Sequence, residues 1–226
     1  NTMNFKLDVN YLDSLIKTSQ STEKIEDPIK KTIQLGLQSS CSIYVRSGKK
    51  NWSGSGFHIG NNIIVTAGHV VPADETLTEI LVTFDNKNFI PATFLTSDPQ
   101  IDSGAIRAER IPTNIPALQF TNSDNVEVGD IVAVIGSPEG FHDTATVGRI
   151  SNLHQTINDP NMPAWNDIIF VDADILEGSS GGMVIGTDNL VVGTIMGVTG
   201  QHADIGVGEN SVCPSNKITN MLSKLV

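Results

Sequence analysis

The chain is organised around the stretch Leu176-Glu177-Gly178-Ser179-Ser180-Gly181-Gly182-Met183. Glycines on both sides of a serine open backbone conformations that other residues avoid, so a tight turn can present the Ser180 hydroxyl. The same turn can aim the amide N–H groups of Gly178 and Ser180 at one point, which is the arrangement of an oxyanion hole. A glycine-rich hairpin would carry the same residues, so a catalytic interpretation requires a base and an acid elsewhere in the chain.

A histidine suited to act as the base follows an apolar strand. The segment Ile63-Ile64-Val65-Thr66-Ala67-Gly68-His69-Val70 ends in small residues, which let the His69 ring sit at a strand end and face a cleft. The ordinary pKa of histidine lies near neutrality, which suits general-base chemistry. The remaining histidines are expected to be surface or capping residues: His58, His142, His154 and His202.

Two aspartates compete to orient His69. Asp102 precedes a strand of small and apolar residues, so its carboxylate can be buried at a barrel edge and accept the imidazole N–H. Asp98 precedes a proline and is predicted to form a turn. We therefore assign the acid to Asp102. The order His, Asp, Ser is that of chymotrypsin, whereas subtilisins and α/β-hydrolases use other orders.

Short β-rich segments separated by turn residues follow Cys41 and predict an all-β fold of two six-stranded antiparallel β-barrels. The expected domains are a helical arm at 1–40, a first barrel at 41–116 with His69 and Asp102, and a second barrel with Ser180 and a closing helix at 117–226. The predicted strands are 43–45, 56–59, 62–66, 80–84, 90–95, 104–108, 131–135, 144–153, 168–174, 183–185 and 190–198.

Both ends of the chain have helical patterns. Asp27-Pro28 is typical of an N-cap followed by proline at the first helical position, and an apolar stripe follows at Ile29, Ile33 and Leu37. The segment 215–225 begins with a predicted cap at Ser215 and has apolar residues at helical spacing. The N-terminal arm can cover a barrel edge or serve in oligomerisation.

Composition excludes several classes of partner. The formal net charge of −11 disfavours nucleic acid and anionic membranes, which both attract clustered Lys and Arg. No segment approaches the roughly 20 consecutive apolar residues of a membrane helix. Two cysteines, Cys41 and Cys213, make no disulfide framework, and their pairing is left open. No Cys/His cluster has metal-ligand spacing, so we expect neither metal nor cofactor.

Further motifs resemble one family. Ser53-Gly54-Ser55-Gly56-Phe57 resembles the strand before the histidine in trypsin-like serine proteases of the HtrA/Deg family, and 66–70 is similar to its His motif. Residues 98–102 resemble its Asp-Pro-x-x-Asp segment. The most specific matches are 126–140 and 144–151, and Cys213-Pro214-Ser215-Asn216 matches as well. The resemblance covers about residues 27–226 and implies a pair of six-stranded barrels.

The resemblance also has departures. Ser179 stands where the family has Asn and where digestive trypsins have an Asp that pairs with a newly cut N-terminus, so activation by that cleavage is not expected. The family commonly has a PDZ domain after the protease, and the chain stops at Val226, so we expect either a trimmed sequence or a member without PDZ. Family members commonly trimerise through N-terminal segments, which favours oligomerisation as the role of 1–40, and they imply an extracytoplasmic location.

Specificity is implied through the same resemblance. The residue six before the nucleophile, Asp174, corresponds to the floor of the primary pocket, beside Ile175. A carboxylate there would favour Lys or Arg substrates, but Asp174 can equally cap a strand, and the family prefers small aliphatic residues. The strand residues Thr194, Ile195, Met196 and Gly197 are expected to form the pocket wall, and 155–167 and 199–209 to be regulatory loops.

We therefore predict a serine endopeptidase that acts on polypeptides through Ser180, His69 and Asp102. One alternative is a catalytically silent, chaperone-like or peptide-binding module on the same fold. Another is an esterase or a viral-type polyprotein protease on the same scaffold.

Overall fold

The computed structural model describes residues 27–137, 144–158, 164–175, 178–197 and 210–225. Within these ranges the chain forms thirteen strands and two α-helices. The helices are α1 (Pro28–Ser39) and α2 (Ser215–Ser223), and the strands are β1 (Ser40–Ser47), β2 (Lys50–Gly60), β3 (Ile63–Thr66), β4 (Glu79–Thr83), β5 (Ile90–Asp98), β6 (Ser103–Ala108), β7 (Gln119–Phe120), β8 (Ile131–Gly136), β9 (Thr144–Ile157), β10 (Trp165–Val171), β11 (Met183–Gly186), β12 (Leu190–Gly197) and β13 (Asn210–Pro214).

The first six strands close into an antiparallel barrel in the order β1-β2-β3-β6-β5-β4. Strand β1 illustrates why this sequence forms it, because alternate side chains of a strand point to opposite faces. Cys41, Ile43 and Val45 lie in the barrel core, whereas Ser42 points away from it and donates a hydrogen bond to the second barrel. The alternation of apolar and polar residues therefore places one face of β1 inside the barrel and the other against its neighbour.

The second barrel has the strand order β11-β8-β9-β10-β13-β12 and closes where β11 pairs with β12. The two-residue strand β7 adds to the free side of β12 in parallel orientation. The prediction of two six-stranded antiparallel barrels is therefore confirmed, with β7 as an addition.

Three strand predictions in the second half were incomplete. The predicted set lacked β7 and β13, which have only two and five residues and no long apolar run. Strand β10 starts at Trp165 and ends at Val171, so the predicted range 168–174 was shifted. It begins in a polar segment around Asp167, which has a positive φ of 55°. It ends where the Asp172 carboxylate turns to accept a hydrogen bond from the Arg149 backbone.

Helix α1 begins as predicted. The Asp27 carboxylate accepts a hydrogen bond of 3.2 Å from the Ile29 amide, and proline occupies the first turn. The helix packs on the second barrel, where a Cβ atom on Gly36 would overlap Ile135 Cδ1. Gly36 is therefore a packing contact. Residues 1–26 of the predicted arm lie outside the described residues, and the domain boundaries and the oligomerisation role remain predictions.

Helix α2 closes the chain as predicted and buries Ile218 and Met221. The prediction of a Ser215 cap was wrong, since Ser215 is the first helical residue and Pro214 precedes it at the N-cap position. The Ser215 hydroxyl instead donates to the Thr121 carbonyl at 2.8 Å, because the start of the helix packs on the segment after β7. Neither helix of the described ranges is long and apolar enough to cross a membrane.

One apolar cluster joins the two barrels. Phe57 and Val65 of the first barrel pack in the same buried cluster as Ile135 and Met183 of the second. Such shared burial fixes the barrels against each other and positions any cleft between them.

The two cysteines lie in separate cores and are not paired. Cys41 is buried in the first barrel and Cys213 in the second, and both are free thiols. Burial raises the pKa of both thiols, so both stay protonated at neutral pH.

Candidate active site

His69 lies directly after β3, in a short 3₁₀ turn of residues 68–70. The preceding Gly68 lets the Asp102 loop approach closely, because a Cβ atom there would lie 3.2 Å from Asp102 Oδ1. The His69 side chain is 51% exposed, so one edge of the ring is open to solvent. The residue therefore has the setting that the sequence predicted, at a strand end.

Asp102 sits in the tight turn between β5 and β6, with a positive φ of 47° and only 3% exposure. Its carboxylate contacts His69 at two atoms. Oδ1 accepts the His69 backbone N–H at 2.9 Å, and the ring Nδ1 lies 2.9 Å from Oδ2 and 3.0 Å from Oδ1. Asp98 instead accepts a hydrogen bond from the Gln100 amide at 2.9 Å, as expected of a turn-forming residue.

The pKa of His69 is set by opposing effects. Burial lowers it, while the hydrogen bond to Asp102 and the negative charge of Asp102 raise it, and the net result is a pKa above 6.5. A neutral imidazole held in this way carries its proton on Nδ1 and leaves Nε2 free to accept another. The His69–Asp102 pair can therefore act as a base once the ring is deprotonated.

The turn that carries Ser180 is built on glycine conformations. Gly178 and Gly181 have positive φ values of 86° and 85°. The Gly182 amide donates to the Ser179 carbonyl at 2.8 Å, and the Gly181 amide donates to the Ile195 carbonyl at 2.8 Å. This turn is thus fixed against β12 of its own barrel.

The same turn fits against the loop that leads to His69. A Cβ atom on Gly181 would overlap Ser55 O and Thr66 Oγ1 and lie 2.6 Å from the Ala67 amide nitrogen. Only a residue without a side chain allows this approach, which brings Ser180 beside the start of the His69 turn. Among the described residues no hydrogen bond joins Ser180 Oγ to His69.

Sequence reasoning did not assign Ser55 to the site. This fully buried serine donates through Oγ to the Gly178 carbonyl at 2.8 Å and through its amide to the Ser180 carbonyl at 2.9 Å. Residues 53–57 were noted only because they resemble the family's strand before the histidine. The Ser55–Gly178 hydrogen bond joins residues 123 positions apart, and such a contact leaves no pattern in the sequence of one strand.

The predicted specificity residues differ in exposure. Asp174 is exposed, and its backbone carbonyl accepts the Thr146 hydroxyl at 2.7 Å. Ile175 is half-buried and packs on the core of the second barrel. The Ile195 amide and carbonyl bond to the 180–182 turn. Two more of the predicted wall residues, Thr194 and Met196, are buried on β12, and Gly197 is the last residue of this strand.

The other two histidines of the described ranges take no part in these contacts. Of the two settings expected for His58, the surface one does not apply, because the residue is buried and its ring Nδ1 lies 3.3 Å from the Pro116 carbonyl, in the segment between the barrels. His154 is exposed and contacts Asp167. His142 and His202 lie outside the described residues. In the described ranges no group of three or more His, Cys, Asp or Glu side chains is arranged to hold a metal ion.

Comparison with known sequences identifies one family model, the trypsin-like peptidase domain, which matches residues 54–193. A probable periplasmic serine endoprotease, DegP-like, of Chlamydia pneumoniae is 35% identical over 175 residues, covering 76% of this chain and 34% of that protein. The periplasmic serine endoprotease DegP of Escherichia coli K12 is 30% identical and covers 72% of this chain and 33% of that protein. The chain thus spans about a third of the length of these curated relatives.

Solved structures share the fold. A protease of Mycobacterium tuberculosis in its active form superposes with a TM-score of 0.73 at 24% identity, covering 86% of this chain and 83% of that one. The HtrA-type protease AlgW, solved with a tripeptide, superposes with a TM-score of 0.72 at 22% identity, covering 87% of this chain and 63% of that one. At these identities the likeness supports the double-barrel architecture.

Proposed function

Because the chain belongs to the family of trypsin-like peptidases, we propose that it is a serine endopeptidase of the DegP/HtrA type. In this proposal Ser180 is the nucleophile, His69 the general base and Asp102 the residue that orients His69. The observation that carries the proposal is the double contact of the buried Asp102 carboxylate with the His69 amide and ring. That contact fixes the orientation of the imidazole, and the glycine turn that carries Ser180 packs against Thr66 and Ala67, shortly before His69.

The proposed reaction uses these three residues in turn. The Nδ1–H of His69 donates a hydrogen bond to Asp102, so Nε2 takes the proton of the Ser180 hydroxyl as the Ser180 oxygen attacks the peptide carbonyl. The negative oxygen of the tetrahedral intermediate is held by the N–H groups of Gly178 and Ser180. The carbon–nitrogen bond then breaks, and His69 gives its proton to the leaving amine. In the second half His69 takes a proton from water as the water oxygen attacks the acyl carbon. The bond between that carbon and the Ser180 oxygen then breaks, the carboxylic acid product leaves, and His69 returns the proton to Ser180.

The substrates are polypeptides, since the curated relatives are named endoproteases. Those relatives are named periplasmic, and we extend an extracytoplasmic location to this chain. A trimer formed through residues 1–40 is part of the same proposal and rests on the resemblance to the HtrA/Deg family.

One observation favours a second candidate, a peptide-binding module without turnover. Ser180 Oγ makes no hydrogen bond to His69 among the described residues, although catalytic contacts of this kind often tighten only when substrate binds. The two functions differ in product formation, because a binding module retains its peptide intact.

The test is hydrolysis of a fluorogenic peptide library and of a dye-labelled unfolded protein. Wild type is expected to cleave both, and Ser180→Ala to lose cleavage while still binding peptide. Ser223→Ala removes an exposed serine hydroxyl on α2 and is the matched control, with wild-type rates expected. Binding of peptides without cleavage by wild type would establish the second candidate instead.

A further inference from the structure

We propose that Ser55 is a positioning residue for the oxyanion hole, a role that rests on the proposed peptidase function. Ser55 lies on β2 of the first barrel, whereas the turn that it contacts belongs to the second barrel. Its place in the site is therefore defined by contacts between the barrels, and it need not touch the substrate.

Every polar group of Ser55 is used in a hydrogen bond. Its hydroxyl donates to the Gly178 carbonyl at 2.8 Å and accepts from the Ser137 amide at 2.9 Å. Its amide donates to the Ser180 carbonyl at 2.9 Å, and its carbonyl accepts from Thr66 Oγ1 at 2.7 Å. The residue has 0% exposure, so water cannot replace these partners.

These contacts fix the peptide planes around the nucleophile. Within one planar peptide unit the carbonyl of a residue and the N–H of the next residue point in opposite directions, so holding the carbonyl also fixes that N–H. Ser55 therefore holds the peptide units 178–179 and 180–181, which flank the unit 179–180 that carries the Ser180 N–H. Gly178 adopts a positive φ and has no side chain to restrict its rotation, so its orientation must come from outside the turn. The Ser55 hydroxyl supplies that restraint.

The same residue couples the nucleophile to the base. Thr66 is the last residue of β3 and stands three positions before His69, and its hydroxyl bonds to Ser55. On the other side, Ser137 follows β8 and reaches Ser55 through its amide. Ser55 therefore joins the strand leading to His69, the turn carrying Ser180 and the end of β8 in one buried network.

The experiment compares Ser55→Ala with Ser39→Ala in the whole chain. Ser39 is also 0% exposed and also donates its hydroxyl to a backbone carbonyl, that of His58, but no hydrogen bond joins its side chain to the described residues 178–182 of the Ser180 turn. Both variants lose one buried hydroxyl, so thermal unfolding reports the shared structural cost. Three functional readouts separate the roles: kcat, KM, and the affinity for a peptide boronic acid, whose oxygen occupies the oxyanion hole.

For Ser55→Ala we expect kcat to fall about 10- to 100-fold with KM changed less than about twofold, since the lost interaction acts in the transition state. Affinity for the boronic acid should fall by the same factor as kcat, and affinity for the corresponding product peptide should not change. Ser39→Ala should keep wild-type values for all of these quantities. Ser55→Cys, which fills the site with a weaker hydrogen-bond donor, should lie between wild type and Ser55→Ala.

A kcat of Ser55→Ala equal to that of Ser39→Ala would overturn this role, as would a rise in KM at constant kcat. If Ser55→Ala does not fold, kcat is measured on the folded Ser55→Cys variant. A kcat of Ser55→Cys equal to that of wild type then overturns the positioning role of Ser55. A wild-type chain that hydrolyses no peptide overturns the proposed function and the role of Ser55 with it, whereas an active wild type with an equally active Ser55→Ala overturns the role alone.

Discussion

Asp102 holds His69 at both its backbone and its ring: the carboxylate lies 2.9 Å from the His69 amide nitrogen and 2.9 Å from Nδ1. The backbone contact fixes where the turn stands, and the ring contact fixes the orientation of the imidazole. A carboxylate that is 3% exposed can make these contacts without competition from water. The pair is therefore a preorganised unit, and the His69 side chain is 51% exposed.

Replacement of Asp102 by Asn should lower kcat by roughly 10³- to 10⁴-fold, because an amide can donate to Nδ1 and select the wrong tautomer of His69. Asn is the appropriate variant, since it tolerates the positive φ of 47° at this position. Steady-state kinetics measure the effect. Asp98→Asn is the matched control, since the amide oxygen can still accept from the Gln100 amide, and a comparable loss there would contradict the assignment.

The raised pKa of His69 predicts the pH profile. Burial lowers this pKa, and Asp102 raises it by more, to above 6.5. Because the base must be neutral, kcat/KM should rise with pH and reach half its maximum above pH 6.5. In Asp102→Asn both raising effects are removed, so the midpoint should move to lower pH. A wild-type midpoint below 6.5 would contradict the electrostatic account.

The raised pKa of His69 also makes the stability of the fold depend on pH, in the direction opposite to that of activity. A folded-state pKa above the unfolded value stabilises the fold below pH 6.5, and that contribution is lost as the pH rises through the folded-state pKa. Activity therefore increases over the pH range in which this contribution to stability disappears.

Gly181→Ala should abolish activity and strongly destabilise the fold. Its φ of 85° strains any side chain, and the added Cβ atom would overlap Ser55 O and Thr66 Oγ1. Gly48→Ala is the control, since Gly48 also has a positive φ, of 58°, but no atom within 4 Å of the added Cβ. We expect about 1–2 kcal/mol of destabilisation at Gly48 from backbone strain alone, measured by urea unfolding. An equal loss of unfolding free energy in Gly181→Ala and Gly48→Ala would contradict the overlap with Ser55 and Thr66, because backbone strain alone would then explain both.

Substrate preference should not depend on Asp174. Its side chain is exposed and its backbone carbonyl is held by Thr146, in the segment that follows the end of β10. We therefore expect faster cleavage of fluorogenic peptides after Val than after Arg, and the same ratio for Asp174→Asn. Faster cleavage after Arg, with loss of that preference in Asp174→Asn, would instead identify Asp174 as the pocket floor.

Local chemistry made much of the fold predictable. Asp27-Pro28 at the start of α1 and Asp98 in its turn were read correctly because their hydrogen bonds involve residues only two positions away. His69 and Asp102 could be paired because small residues and the order of motifs indicate a strand end and a turn. Each of these local signals is carried by a few neighbouring residues, and the order of the motifs along the chain supplied the pairing.

Long-range features were not visible in the sequence. The short strand β13 closes a barrel through partners far along the chain, and Ser215 forms its bond with Thr121 instead of capping α2. Ser55 belongs to this class too, since its hydroxyl bond spans 123 positions. The residues that form contacts between the barrels recur at no regular spacing in the sequence, so these contacts are seen only in the folded structure.

The most direct test of the central claim is the site at which a fluorophosphonate reacts, located by mass spectrometry of the labelled and digested protein. Such a probe forms a covalent bond only with an activated serine oxygen. The account predicts one modified residue, Ser180, with labelling lost in Ser180→Ala and His69→Ala. A folded wild-type protein that takes no label, or takes it at another serine, would contradict the account.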